Sequence, residues 1–162
     1  MWLLEPDHKR DTARLRQVMD VDVQASSGTN TPLYRYAVLS HRWEEGDEEI
    51  SYDDVKAGSR PRKKKGWFKF WKCQEQAKAD GLDYVWIDTC CIDKRSSAEL
   101  QEAINSMYDI YERATVCYVY MRDVLAAYFD RTFQRSEWFS RKSRAIDSIP
   151  TLTPKCGCFA RS

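Results

Sequence analysis

No stretch of the 162-residue chain strings together the roughly 18 apolar residues that a membrane span requires. The apolar opening, Trp2-Leu3-Leu4, is too short for the core of a secretory signal, so the chain is expected inside the cell, in the cytoplasm. An excess of one charge is also missing. Lys and Arg number 26 against 25 Asp and Glu, a formal net charge of +1, which argues against membrane attachment or a specific nucleic-acid partner driven by overall charge. The 6 cysteines (Cys73, Cys90, Cys91, Cys117, Cys156, Cys158) contain no C-x-x-C pair. A structural zinc site and a disulfide framework are thus both without support, and no metal is expected. The dinucleotide, P-loop, zincin and nucleophile-elbow signatures are all absent.

What is there suits one globular domain. Hydrophobic residues make up 43%, charged residues 31% and aromatics 13%. A chain of this length buries on the order of two-thirds of its extended surface. Residues 11–23 carry a weak helical pattern through Leu15, Val18 and Met19, followed by a polar loop over 25–32. Three short apolar runs, at 36–40, 84–88 and 115–121, read as buried strands. Between them, 66–79 reads as a helix through Trp67, Phe70, Trp71, Cys73 and Ala77. Residues 97–113 read as another, with Leu100, Ala103, Ile104, Met107, Tyr108 and Tyr111 as its core stripe and Ser96 to Glu99 as a capping box. Strands that are continuous apolar runs and alternate with helices predict an α/β fold, a parallel sheet with helices on both faces. Ligands in such sheets bind beyond the carboxyl ends of the strands.

Those ends hold the candidate site. Ser40-His41-Arg42-Trp43 joins a hydroxyl, a titratable ring, a permanent cation and a stacking surface. The set suits a phosphate-bearing or nucleotide ligand. It is equally met by Arg42 pairing with the acids of 44–49 and Trp43 packing on the sheet edge. Asp88 ends the second strand, so Ser40, His41, Arg42 and Asp88 are expected on one concave surface. His41 with Cys90 or Cys91 has the residue types of base and nucleophile, though nothing in the spacing brings them together. Glu99 and Glu102 share one side of the second helix. They are candidate carboxylates for acid–base work, against the plainer roles of helix cap and solvated face. The basic run from Arg60 to Lys65 reads as a solvated loop or an anionic-surface patch.

The series Tyr36-Ala-Val-Leu-Ser-His-Arg-Trp43, Gly81 through Asp88-Thr-Cys-Cys-Ile-Asp-Lys94, Ser96 through Tyr111, and Ala114 through Tyr120 strongly resembles the HET (heterokaryon incompatibility) domain of filamentous fungi, over roughly residues 1–141. The resemblance implies a self/non-self recognition and cell-death module acting through protein partners, other HET-domain proteins among them. It also implies a distant likeness to the TIR domain, a flavodoxin-like sheet whose members include NAD-cleaving enzymes that use a helical glutamate. The departure lies after Trp138-Phe139-Ser140-Arg141, where the family's Trp-Thr-Leu-Gln-Glu block does not follow. No residue here therefore inherits the catalytic glutamate, which leans the reading away from an enzyme. No cofactor is expected, with NAD the one the resemblance would suggest, and an inactive truncated fragment is a further alternative. Residues 142–162 are expected to be a divergent, disordered tail.

Overall fold

A computed structural model describes residues 1–7, 9, 11–18, 34–125 and 155–161. The elements run β1 (Trp2–Asp7), β2 (Thr12–Gln17), β3 (Tyr36–Ser40), α1 (Tyr52–Lys56), α2 (Trp67–Ala79), β4 (Tyr84–Trp86), α3 (Asp88–Cys91), α4 (Ser97–Asn105), α5 (Met107–Glu112), β5 (Val116–Leu125) and β6 (Lys155–Arg161). They build one six-stranded sheet in the order β2-β1-β4-β3-β5-β6. The three expected strands are present and mutually parallel, with Tyr36 beside Tyr84 and Ala37 beside Val116, though the second ends at Trp86 and Asp88 falls in α3. β3 lies between the other two.

The centre of the sheet follows directly from its residues. Successive strand side chains point to opposite faces, and Tyr36, Ala37, Val38 and Leu39 are all buried, so both faces of β3 are covered. Tyr36 donates its phenol hydrogen to the Ile110 carbonyl at 2.7 Å, which ties the strand to α5. The chain leaves β3 to one side through α2 into β4. It then returns across β3 through α4 and α5 into β5. The reversal makes the carboxyl end of β3 a topological switch point, the place where open α/β sheets hold their ligands.

Three expectations are corrected. The segment read as weakly helical over 11–23 begins as β2, paired antiparallel with β1 from Trp2 against Gln17 to Asp7 against Thr12, and β1 in turn lies antiparallel to β4. In β2 Ala13 is buried and Leu15 half-buried while Arg14 and Arg16 are exposed, a one-sided pattern that Leu15 and Val18 had disguised as helical spacing. The long helix over 97–113 is two helices, broken at Ser106 (φ −90°, ψ 0°). The break turns Ile104 and Tyr108 outward, 55% and 59% exposed, whereas Leu100, Ala103, Met107 and Tyr111 pack against the core. Lys155–Arg161, expected to be disordered, runs as β6 parallel to β5. The loop over 25–32, the domain boundary at 141 and the tail over 142–154 lie outside the described residues.

The outward position of Ile104 sets an expected outcome. Ile104→Ala should change the unfolding free energy by no more than about 0.5 kcal/mol, as surface substitutions do. Leu39→Ala, which empties a packed site in the central strand, should cost about 2–5 kcal/mol. Chemical denaturation of the two variants checks the difference.

Candidate functional site

Beyond β3 the chain runs into a loop whose acidic residues divide by position. Glu45 and Asp47 face solvent, while Glu44 and Glu49 turn inward. The close approach of α2 explains the inward turn of Glu49. Gly66, at the start of that helix, donates its N–H to the Glu48 carbonyl at 2.9 Å. A Cβ there would stand 2.4 Å from Glu49 Oε1 and 3.1 Å from the Ile50 nitrogen. Glycine at this position lets the loop lie against the helix, and one turn further along α2 stands Lys69.

Lys69 is 2% exposed and its ammonium meets three acceptors: Glu49 Oε2 at 2.6 Å, the Arg42 carbonyl at 2.7 Å and Glu44 Oε1 at 3.5 Å. An ammonium has three protons to donate, and each has a partner here. Glu49 also accepts the backbone N–H of Glu44 at 2.9 Å and that of Ile50 at 3.2 Å. Glu44 is shared with Arg122 of β5 at 3.3 Å. The cluster thereby ties together the loop after β3, the first turn of α2 and the far part of β5.

His41 sits at the centre, its side chain 1% exposed. Nδ1 faces the Leu39 carbonyl at 3.5 Å. Nε2 stands 3.7 Å from Asp88 Oδ1 and 3.9 Å from Glu49 Oε2, with no hydrogen-bond partner among the described residues. Burial pushes the imidazole pKa below its ordinary value, and the nearby Lys69 acts in the same direction. Asp88 and Glu49 oppose that shift without reversing it.

Asp88 opens the short helix α3. Its Oδ1 accepts the Thr89 N–H at 2.7 Å and its Oδ2 accepts the Trp43 indole N–H at 2.8 Å. The Lys94 ammonium lies 3.6 Å from the Trp43 ring centroid, a cation–π contact. Trp43 is therefore half-exposed yet fixed at its edge and on one face. A groove of about 220 Å³ opens beside it, lined by Trp43, Glu44, Glu49, Tyr52, Lys64 and Lys94 among others.

Of the candidate ligand residues, His41, Trp43 and Asp88 come together. Ser40 instead shares a hydrogen bond with the Tyr111 phenol, whose pKa burial pushes up to about 12. Arg42 is exposed and joins the cluster through its backbone carbonyl. Of the acids over 44–49 expected to pair with it, Glu44 and Glu49 hold Lys69. The thiols stand apart from nucleophilic chemistry. Cys90 donates to the Ile50 carbonyl at 3.3 Å, and burial pushes Cys90 well up and Cys91 to about 12. Ser96 caps α4 by accepting the Glu99 N–H at 3.3 Å, while the Glu99 carboxylate reaches Asp93 N–H at 3.4 Å. The complete capping box belongs to Ser51 and Asp54 on α1. Glu99 and Glu102 lie on the wall of a separate cleft. Part of the basic run is tied down as well, Arg62 to Asp11 at 2.6 Å and Lys64 to Asp54 at 2.7 Å. No three His, Cys, Asp or Glu side chains converge as a metal site among the described residues, and no helix there is long and apolar enough to cross a membrane.

Sequence reasoning missed Lys69, Glu44 and Glu49. For Lys69 a signal existed: it falls one turn before Cys73 on the buried stripe of α2, a position where a lysine needs an internal partner.

Comparison with known proteins covers most of the chain. The model of the family described as heterokaryon incompatibility protein (HET) matches residues 36–153. Vegetative incompatibility protein HET-E-1 of Podospora anserina is 44% identical over 149 residues, covering 87% of this chain and 10% of that protein. The chain thus spans about a tenth of the length of the curated relative it matches. No solved structure matches.

Two outcomes follow from the buried cluster. Lys69→Met leaves Glu44 and Glu49 buried beside an apolar chain and should cost about 3–5 kcal/mol in urea unfolding, the range for breaking a buried pair on one side. The histidine gives a pH dependence of defined sign. The folded-state pKa of His41 lies below the ordinary 6.5, so below that pH the unfolded chain takes up a proton that the folded chain refuses. Stability therefore falls as the pH drops beneath 6.5. His41→Gln should shrink the loss of melting temperature between about pH 7 and about pH 5.

Proposed function

The chain belongs to the heterokaryon incompatibility (HET) family, and from that premise we propose that it serves as the incompatibility module of its protein, coupling recognition of non-self to cell death through contacts with other proteins. The observation that carries this reading is the 44% identity, extending over 87% of the chain, to a vegetative incompatibility protein.

The surface that best suits a protein contact is Trp43 with Lys94. Large aromatic side chains held rigid before binding lose little entropy on association and supply a large share of the energy at protein interfaces. Trp43 has that rigidity: Asp88 fixes its indole nitrogen, Lys94 covers one ring face, and beneath them the charge cluster holds the strand ends in one arrangement.

A chimera tests the proposal. The segment of the Podospora anserina protein aligned with this chain is replaced by the chain itself, and the transformed strain is confronted with its incompatible tester. The chimera should retain the incompatibility reaction. Trp43→Ala should abolish it at unchanged protein level, while the exposed-site control Gln101→Ala should leave it intact. A chimera that accumulates normally and gives no reaction would overturn the proposal.

A further inference from the structure

The charges of this nearly neutral chain are sorted into two exposed patches. The span of α4 and α5, 97–112, holds four acids and no lysine, arginine or histidine. Its outer side carries the exposed Ile104 and Tyr108, one turn apart across the break at Ser106. Glu112 follows one turn beyond Tyr108, and Glu102 and Asp109 are exposed beside them. None of these three carboxylates is in an ion pair among the described residues. Two large apolar side chains rimmed by unpaired carboxylates suit a partner that brings cations on aliphatic stems.

The same chain carries such a surface between α1 and α2. In the run from Arg60 to Lys65, Arg62 is held by Asp11 and Lys64 by Asp54. The Lys64 N–H also closes a turn on the Pro61 carbonyl at 2.9 Å. Those bonds fix the loop, and Arg60, Lys63 and Lys65 stay exposed without an ion pair among the described residues. Within one copy the sheet stands between the two patches. Tyr118 and Tyr120 reach α2 from one face of it, to Asp80 at the end of that helix and to Phe68. Tyr36 and Trp86 reach α5 from the other face. The basic loop leads into α2, so its cations meet the acids of α4 and α5 only on another molecule. A formal net charge of +1 leaves copies free of long-range repulsion.

We propose that the chain associates head to tail with further copies of itself, the α4–α5 face of one docking on the Arg60–Lys65 loop of the next. Ile104 and Tyr108 pack on Pro61 and the lysine stems, and the carboxylates around them take the three exposed cations. The two surfaces differ, so the contact is heterologous and repeats into rings or open chains. It uses neither Trp43 nor the strand-end cluster, and its failure would leave the outcome of the chimera untouched.

Sedimentation velocity of the full chain, with and without nuclease, tests the proposal from about 5 to about 500 μM protein, at about 20 mM and about 500 mM salt. The mean mass should rise with concentration in low salt, fall back in high salt and ignore nuclease. Two charge-reversed chains separate the surfaces: Arg60→Glu/Lys63→Glu/Lys65→Glu and Glu102→Lys/Asp109→Lys/Glu112→Lys. Each alone should stay monomeric. Mixed in equal amounts they should associate again, because each then offers the other a complementary face and loop. Ile104→Ala/Tyr108→Ala should weaken association about tenfold, in the native chain and in the mixture alike. That variant changes only exposed side chains and decides the matter if a charge-reversed chain unfolds. A monomer at every concentration would mean that another segment or another protein covers the face, and would overturn the proposal. So would an assembly that nuclease disperses, association by either charge-reversed chain alone, a mixture no heavier than its parts, or undiminished association in the alanine variant.

Discussion

The ammonium of Lys69 is the point on which the carboxyl edge of the sheet depends. Placing a charge inside a protein costs several kcal/mol unless its partners are held in good geometry. Here the three partners come from the loop after β3, two of them carboxylates and one the carbonyl of Arg42. The loop cannot move away from α2 without leaving a buried cation, and α2 cannot shift without leaving buried carboxylates. Such a pair adds little net stability over an apolar equivalent, but it narrows the arrangements open to the chain. The path from Ser40 to Ile50 is fixed chiefly by this ion cluster, with Gly66 permitting the close approach.

The same arrangement explains why the edge of the site is rigid while its surface is polar. His41 and Asp88 connect the cluster to Trp43, so a side chain open to solvent is anchored through one carboxylate to a buried network. Across β4 the construction is different. There α4 packs on the core through Leu100 and Ala103, with none of its residues fully buried.

Much of the fold was legible because the inner strands are short unbroken apolar runs, a pattern that only burial on both faces tolerates. Tyr36–Leu39 and Tyr84–Trp86 could be read without knowing their neighbours. The hairpin of β1 and β2 was not, since an edge strand with one wet face has few apolar positions. Leu15 and Val18 satisfied a helical spacing equally well. Ile104 and Tyr108 belonged to a stripe that was correct in period, but a single break at Ser106 turned both of them outward, and no residue type at that position announces it. At the site, His41, Trp43 and Asp88 were legible from their strand-end positions. Ser40 was drawn away by Tyr111. Lys69 was visible only as a charge on an apolar stripe. Glu44 and Glu49 were hidden among acids of the same loop, because which members of an acidic run turn inward is decided by the helix that packs against them.

The central place of β3 also bears on the order in which the molecule can assemble. Antiparallel β1 and β2 are joined by a short connection, and such hairpins close within about 1–10 μs. β3 has no local partner: Tyr36 must wait for Tyr84, and Ala37 for Val116. A ribosome making the chain therefore releases its most apolar strand well before either neighbour exists. Pairing across such distances is slow and leaves sheet edges exposed meanwhile. The strand that organises the finished sheet is, during synthesis, the one most in need of shelter, and a chaperone bound near Tyr36–Ser40 would protect the nascent domain where aggregation would otherwise begin.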